Sequence, residues 1–231
     1  MHHHHTPKPN YSLETLRAAI DSQDDAILAA LTARQRLVDR IRAVKTAEGH
    51  LVYRPGREAK ILRRLFAVAD PALDCNLINQ MWREIFSSAV LLQEPLKIAV
   101  VEENNFSLRE LARQAFGHAA ILQSGTLDNA MAQLKLGQVS LAVVPMGPDA
   151  VRQILSVIES DETVHITNIL PFLFDNGTPQ AYTIGRVCPE ESGDDITLFR
   201  QDDEIKMMNG FHLDVPGWLG IVPRPYQIAS K

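Results

Sequence analysis

The sequence predicts two regions of different class: an all-α N-terminal domain of three helices over residues 11–95, followed over residues 96–231 by an α/β domain with a mixed sheet. Three observations predict this. From Leu13 to Val44 apolar residues recur at three-and-four spacing, with no Gly or Pro before Gly49, as in a helix with one apolar stripe. Breakers then fall at Pro55-Gly56, Pro71 and Pro95, dividing the chain between them into two further helical stretches. Beyond Pro95, short β-branched runs alternate with helical segments, the pattern of an α/β domain.

The elements follow in order. Ser12 is a candidate N-cap with Thr15 three places on, and the stripe runs through Leu13, Leu16, Ile20, Ile27, Ala30, Leu37, Ile41 and Val44. A helix of roughly 35 residues is about 50 Å long. A monomeric domain of about ninety residues cannot bury it, so it should pack against a second copy of itself. Arg57 to Val68 reads as a second helix and Pro71 to Leu92 as a third, with Glu94-Pro95 closing the helical region. Lys97–Val101 is strand-like, Ser107–Phe116 helical, Ala119–Leu122 apolar, Leu127–Leu136 helical and Leu141–Pro145 a strand. Gly147-Pro148-Asp149 reads as a turn and cap for a helix over Asp149–Ile158, rather than as a phosphate site. Strand-like segments follow around Ile166–Leu173, Ala181–Val187, Ile196–Arg200 and Gly217–Val222. The chain shows no internal repeat and no low-complexity stretch.

Composition narrows the function. With 231 residues, 45% of them hydrophobic, the chain can bury an ordinary core. No apolar run approaches the roughly 18 residues needed to cross a bilayer, and no apolar signal region follows Met1. The expectation is therefore a cytoplasmic protein with no membrane partner. The run His2 to His5 reads as a tag or leader and is set aside from metal arguments. Cys75 and Cys188 are the only cysteines and lack CxxC spacing, which points to a reducing compartment without zinc or disulfides. Up to Glu94 there are 13 Lys and Arg against 11 Asp and Glu, and thereafter 10 against 17. So acidic a second half argues against a nucleic-acid partner, while the slightly positive first half suits a small anion.

The chemistry concentrates in that first half. Arg34 takes a seam position between Ala30 and Leu37, where an apolar residue belongs, and a charge there is costly unless paired. Taken alone, it also fits a cation that snorkels to water or pairs with an acid across the seam. Lys45 lies eleven residues on, within about 20° of the same helical face. Arg17 stands near the start of the first helix, Arg57-Glu58 opens the second, and Gln93 follows Ala89 by one turn near the end of the third.

This set, with Leu13-x-x-Leu16-Arg17-x-x-Ile20-Asp21 and Ala33-Arg34-Gln35-Arg36-Leu37, resembles the all-helical chorismate mutase family over roughly residues 11 to 95. The resemblance implies an intertwined homodimer with shared active sites. It also implies chorismate as substrate and its Claisen rearrangement to prephenate in aromatic amino acid biosynthesis, without metal or cofactor. The reaction stays inside one molecule, so the protein need only hold the compact conformer and stabilise charge moving onto the ether oxygen. The roles implied are Arg17 and Arg34 to the two carboxylates, whose geometry suits the planar guanidinium fork. Lys45 serves a carboxylate and the ether oxygen, Gln93 the ether oxygen, and Glu58, with Arg57 beside it, the ring hydroxyl. Lys45, Gln93, Arg34 and Glu58 are the expected catalytic groups, and all six bind substrate. A neutral donor at Gln93 implies activity that does not require acid conditions. Ala89 departs from the pattern where some members carry serine.

The second half resembles prephenate dehydratase in layout: Lys97-Ile98-Ala99-Val100 as a first strand, Ala142-Val143-Val144-Pro145 as a strand end, and Trp218–Pro225 like a strand of the regulatory ACT module. The catalytic motifs are altered. Val101-Glu102-Glu103-Asn104-Asn105-Phe106 stands in place of a glycine-rich loop, and Thr197-Leu198-Phe199 in place of Thr-Arg-Phe. Without glycines the backbone cannot approach an anion closely. The region is expected to be a degenerate regulatory or structural domain, with an aromatic amino acid as a possible effector. Two alternatives stand beside the mutase: a bifunctional chorismate mutase/prephenate dehydratase, and a non-catalytic helical dimerisation module carrying an α/β ligand-binding domain.

Overall fold

The computed structural model describes residues 12–45, 53–91, 95–103, 106–174 and 177–228. Helix α1 runs unbroken over Leu13–Lys45, 33 residues. Its start is capped as the sequence predicts, with the Thr15 N–H donating to Ser12 Oγ at 3.1 Å. Its apolar stripe is uncovered: Leu16, Ile20, Ile27, Leu37 and Ile41 are each at least 44% exposed. The chain divides into two compact units, Met1–His50, which contains α1, and Leu51–Lys231.

In the second unit, α2 spans Pro55–Val68 and α3 spans Cys75–Leu91. Helix α2 begins before the expected Arg57 because Pro55 fits a first helical turn, where its missing N–H has no partner to lose. Helix α3 begins later than Pro71. The Asp70 carboxylate accepts the Ala72 N–H at 2.8 Å and holds Pro71 and Ala72 in a turn, and Asp74 accepts the Asn76 N–H at 3.0 Å. Ala59, Leu62 and Phe66 of α2 pack with Ile78 and Phe86 of α3 and with Phe172 and Leu173 from the α/β half. The second and third helices therefore share a core with the sheet region.

That region is the mixed α/β arrangement the sequence predicts. Strand β1 (Lys97–Glu103) is flanked by β3 (Ile121–Gly125) and β4 (Leu141–Pro145), both parallel to it. Helices α4 (Arg109–Phe116) and α5 (Leu127–Lys135) make the crossovers. Helix α6 (Pro148–Ser160) leads to β5 (His165–Leu170), and β7 (Ala181–Gly185) lies antiparallel between β4 and β5. Ile98, Leu141, Val143, Ile166 and Ile184 are fully buried, which is why these strands read as continuous apolar runs rather than alternating ones. A three-stranded antiparallel sheet joins β8 (Asp195–Gln201) to β9 (Glu204–Asn209) and β10 (Trp218–Pro223), with β8 central.

Three details differ from expectation. The helix expected from Ser107 starts at Arg109, because β2 (Phe106–Ser107) first folds back antiparallel on Glu102 and Glu103 of β1. The strand expected over Ile166–Leu173 ends at Leu170. Pro171 cannot donate to a ladder, and the chain resumes as β6 (Leu173–Phe174), paired with β11 (Tyr226–Gln227). Strand β9 was not expected. It is an edge strand in which only Ile205 is partly buried and Met207 and Met208 are exposed, so no alternation of apolar and polar residues marks it. Among the described residues, no helix is long and apolar enough to cross a membrane.

Candidate active site

Helix α1 carries three of the expected site residues. Arg17 is exposed and Arg34 half-buried, and burial pulls the Arg34 guanidinium below its ordinary range. Seventeen residues of continuous helix separate them, about 25 Å along the axis and about 100° around it, so the two cannot grip one small dianion from the same chain. Lys45 is the last residue of α1, and its side chain lies outside the described residues. So does Gln93.

Arg57 and Glu58 sit in the first turn of α2, and the structure sends them opposite ways. Arg57 is exposed, whereas Glu58 is buried. The entry to α2 is fixed on both sides. Arg54 grips Glu190 through Nε at 2.9 Å and a terminal nitrogen at 2.5 Å, and Gly56 lies so close to the Glu190 backbone that a Cβ would collide with it. One turn of helix from this anchor carries the Glu58 side chain into the interior, where its carboxylate accepts from Arg83 of α3 at 2.7 Å. Only 5% of the Arg83 side chain and 12% of the Glu58 side chain are exposed.

Several groups close around this pair. The Arg83 guanidinium carbon lies 5.5 Å from the centroid of the Phe172 ring, within cation–π range. The hydroxyl of Tyr53 accepts from Asn168 Nδ2 of β5 at 3.1 Å, and its ring meets Phe116 edge-on. Tyr53, Glu58, Arg83 and Ser87 line a void of about 10 Å³, the size of a single water. Burial pushes the Glu58 carboxyl up to about 7, against the pull of the Arg83 charge and hydrogen bond. Burial likewise raises the Tyr53 phenol.

Sequence reasoning missed Arg83, Tyr53 and Asn168. For Arg83 a signal existed: it lies at three-and-four spacing with Asn79, Phe86 and Val90 on the stripe of α3 that turns inward. That is the same anomaly of a cation on an apolar face that marked Arg34. Tyr53 and Asn168 are 115 positions apart and meet only in the folded chain. Among the described residues no group of three or more His, Cys, Asp or Glu could hold a metal ion.

Comparison with known families bears on this arrangement. The model of chorismate mutase type II matches residues 16–94, which take in α1 from Leu16 on, α2, α3 and the Glu58–Arg83 pair. Residues 16–94 carry a chorismate mutase type II domain. The chain is also similar to curated relatives described as bifunctional chorismate mutase/prephenate dehydratase. That of Stutzerimonas stutzeri is 32% identical over 140 residues, covering 58% of this chain and 38% of the relative. Those of Pseudomonas aeruginosa and Neisseria gonorrhoeae are 31% and 30% identical over 140 and 131 residues, covering 58% and 56% of this chain and 38% and 36% of theirs. These alignments are longer than the mutase segment, so the similarity runs beyond it. The chain spans little more than a third of the length of these relatives. A solved prephenate dehydratase from Streptococcus mutans is 18% identical over 45% of this chain and 57% of its own, with a TM-score of 0.33, too low to define a shared fold.

Proposed function

We propose that the protein is a chorismate mutase that converts chorismate to prephenate in aromatic amino acid biosynthesis, working as a cytoplasmic homodimer. The observation that carries the reading is α1. It belongs to a segment matched by the mutase family and bears Arg17 and Arg34 too far apart to serve one substrate, along a stripe of exposed leucines and isoleucines. A second copy of α1 laid on that stripe would bury it and bring the Arg17 of one chain toward the Arg34 of the other. The functional unit is then residues 11–95 of two chains, intertwined, with shared sites. Two free cysteines agree with a reducing compartment.

In this reading Arg17, Arg34 and Lys45 hold the two carboxylates, Lys45 and Gln93 face the ether oxygen, and Glu58, beside Arg57, accepts from the ring hydroxyl. The groups bind and orient. No side chain forms a bond to the substrate, because the rearrangement breaks and makes its own bonds within one molecule. The test is chorismate consumption with prephenate formation by the purified full chain, without added metal or cofactor. Turnover well above the uncatalysed rate supports the reading, and folded but inert protein rejects it in favour of a non-catalytic dimerisation module.

The bifunctional reading has in its favour the description of the relatives and the length of their alignments. Against it stands the β1–β2 reversal, with Glu102 and Glu103 where a glycine-rich anion loop belongs. Phenylpyruvate formed from prephenate at neutral pH would establish it. A regulatory role for the α/β half, with phenylalanine or tyrosine as effector, is tested by calorimetry with either amino acid.

A further inference from the structure

Glu58 is proposed to meet the substrate, yet its carboxylate is turned inward on Arg83. Three features show that Arg83 does more than fill space. It is the group paired to Glu58, at 2.7 Å, in a setting where 5% and 12% of the two side chains meet solvent. Its guanidinium is itself held, over the ring of Phe172, which is 4% exposed and follows directly on Pro171 at the end of β5. Both partners line the same water-sized void, with Tyr53 beside them and tied to Asn168 of β5. A buried carboxylate deprived of its cation takes up a proton rather than remain charged. A protonated acid is a weaker acceptor for a hydroxyl than a carboxylate is.

We propose that Arg83 is a positioning residue of the mutase site: its guanidinium, clamped over Phe172, favours the ionised form of the Glu58 carboxylate and holds it in place to accept the substrate's ring hydroxyl. Through Phe172 and the Tyr53–Asn168 bond, the α/β half then supports a group of the mutase domain. This rests on the assignment of Glu58 to that hydroxyl. The titratable groups facing Glu58 are Arg83 on α3 and Tyr53 ahead of α2. From α4 and β5 the nearby groups are Phe116 and Asn168, which do not titrate.

The experiment is the pH profile of kcat/KM for chorismate with full-length wild type, Arg83→Met, Arg83→Gln, Arg83→Lys and Glu58→Gln, with folding followed by circular dichroism. Arg83→Met should lose on the order of tenfold or more at pH 7 and recover as the pH rises, since without the cation the carboxyl ionises later. Arg83→Lys, which retains a charge, should restore most of the loss. Glu58→Gln should be impaired with a flat profile. If Glu58→Gln is impaired while Arg83→Met or Arg83→Gln keeps both wild-type activity and profile, the positioning role is overturned and the site assignment stands. If Glu58→Gln is fully active with the wild-type profile, the assignment of Glu58 itself falls, and the proposal with it. Should neither neutral variant fold, Phe172→Leu, which leaves both charges in place, decides: a profile moved to higher pH supports the role, and an unmoved one overturns it.

Discussion

Arg63 of α2 reaches the loop that leads into β8 and donates to Ser192 twice, to its carbonyl oxygen at 3.2 Å and its hydroxyl at 2.9 Å. The same guanidinium donates to the carbonyls of Asp194 and Arg224, each at 2.8 Å. Its carbon also lies 5.6 Å from the centre of the Phe172 ring. One planar fork thus satisfies three backbone oxygens and a hydroxyl, which fastens α2 to the three-stranded sheet. Arg63→Ala should destabilise the full chain by about 2–4 kcal/mol, because several partly buried acceptors lose their donor at once. Arg63→Lys should recover little, since an ammonium cannot span the same acceptors. Urea unfolding measures both, and a lysine variant as stable as wild type would refute the fork.

The pair in the interior makes stability depend on pH in a definite direction. Glu58 ionises near 4.5 in its ordinary state and at about 7 in the fold, with burial as the chief cause. Folding therefore favours the protonated carboxyl. That contribution is complete below about pH 4.5 and is lost as the pH rises through about 7. Between pH 5 and 8 wild type should lose on the order of 2–3 kcal/mol relative to Glu58→Gln, which has no proton to release. His165, whose ring burial holds below its usual range, acts with the opposite sign, so the difference between the two proteins is the quantity to measure. A difference that stays constant with pH would show that the carboxyl is not buried as described.

Gly220 marks a contact that no side chain can share. It lies at φ +155° where the β10–β8 register shifts, and a Cβ there would run into the backbone carbonyl of Ile166 in β5. The obstacle is the buried backbone of β5, so it cannot swing aside as a side-chain end would. Gly220→Ala should cost about 3 kcal/mol or more and lower the melting temperature by roughly 5 °C or more. A melting temperature within a degree of wild type would mean that β10 can lift away from β5.

The separation of Arg17 and Arg34 along α1 predicts complementation between chains. Arg17→Ala and Arg34→Ala should each be severely impaired as homodimers, since each removes a cation from the charge developing in the transition state. Unfolded together and refolded, half of the dimers are mixed and half of their sites are whole, so activity should return to roughly a quarter of wild type. A verified heterodimer with no recovery would exclude a site shared between chains.

Helix α1 was legible because its stripe, its capping Ser12 and its freedom from breakers all lie within the helix itself. The same holds for β1, β4 and β7, whose β-branched runs mark strands buried on both faces. The cation at seam position 34 could be read because its anomaly shows against its own neighbours. Helix starts were less legible: Pro55 reads as a breaker yet opens α2, and the turn at Asp74 that precedes α3 leaves no mark on the periodic pattern. Strand β9 escaped because an edge strand with a single half-buried residue, Ile205, has no repeating buried face to imprint on its composition.

What the sequence determined by itself was the order and type of the helices and of the buried strands and the change of class near Pro95. Each of these rests on a pattern within a short stretch of chain. What only the tertiary structure decided was where Glu58 points. Its neighbour Arg57 is exposed while Glu58 meets Arg83, 25 positions away, under a ring from position 172. That difference depends on Gly56 lying against Glu190, on Arg63 reaching Ser192, and on Phe172 closing over the guanidinium. Each is a contact between segments far apart in the chain, and no local pattern of spacing encodes which of two adjacent side chains such contacts will bury.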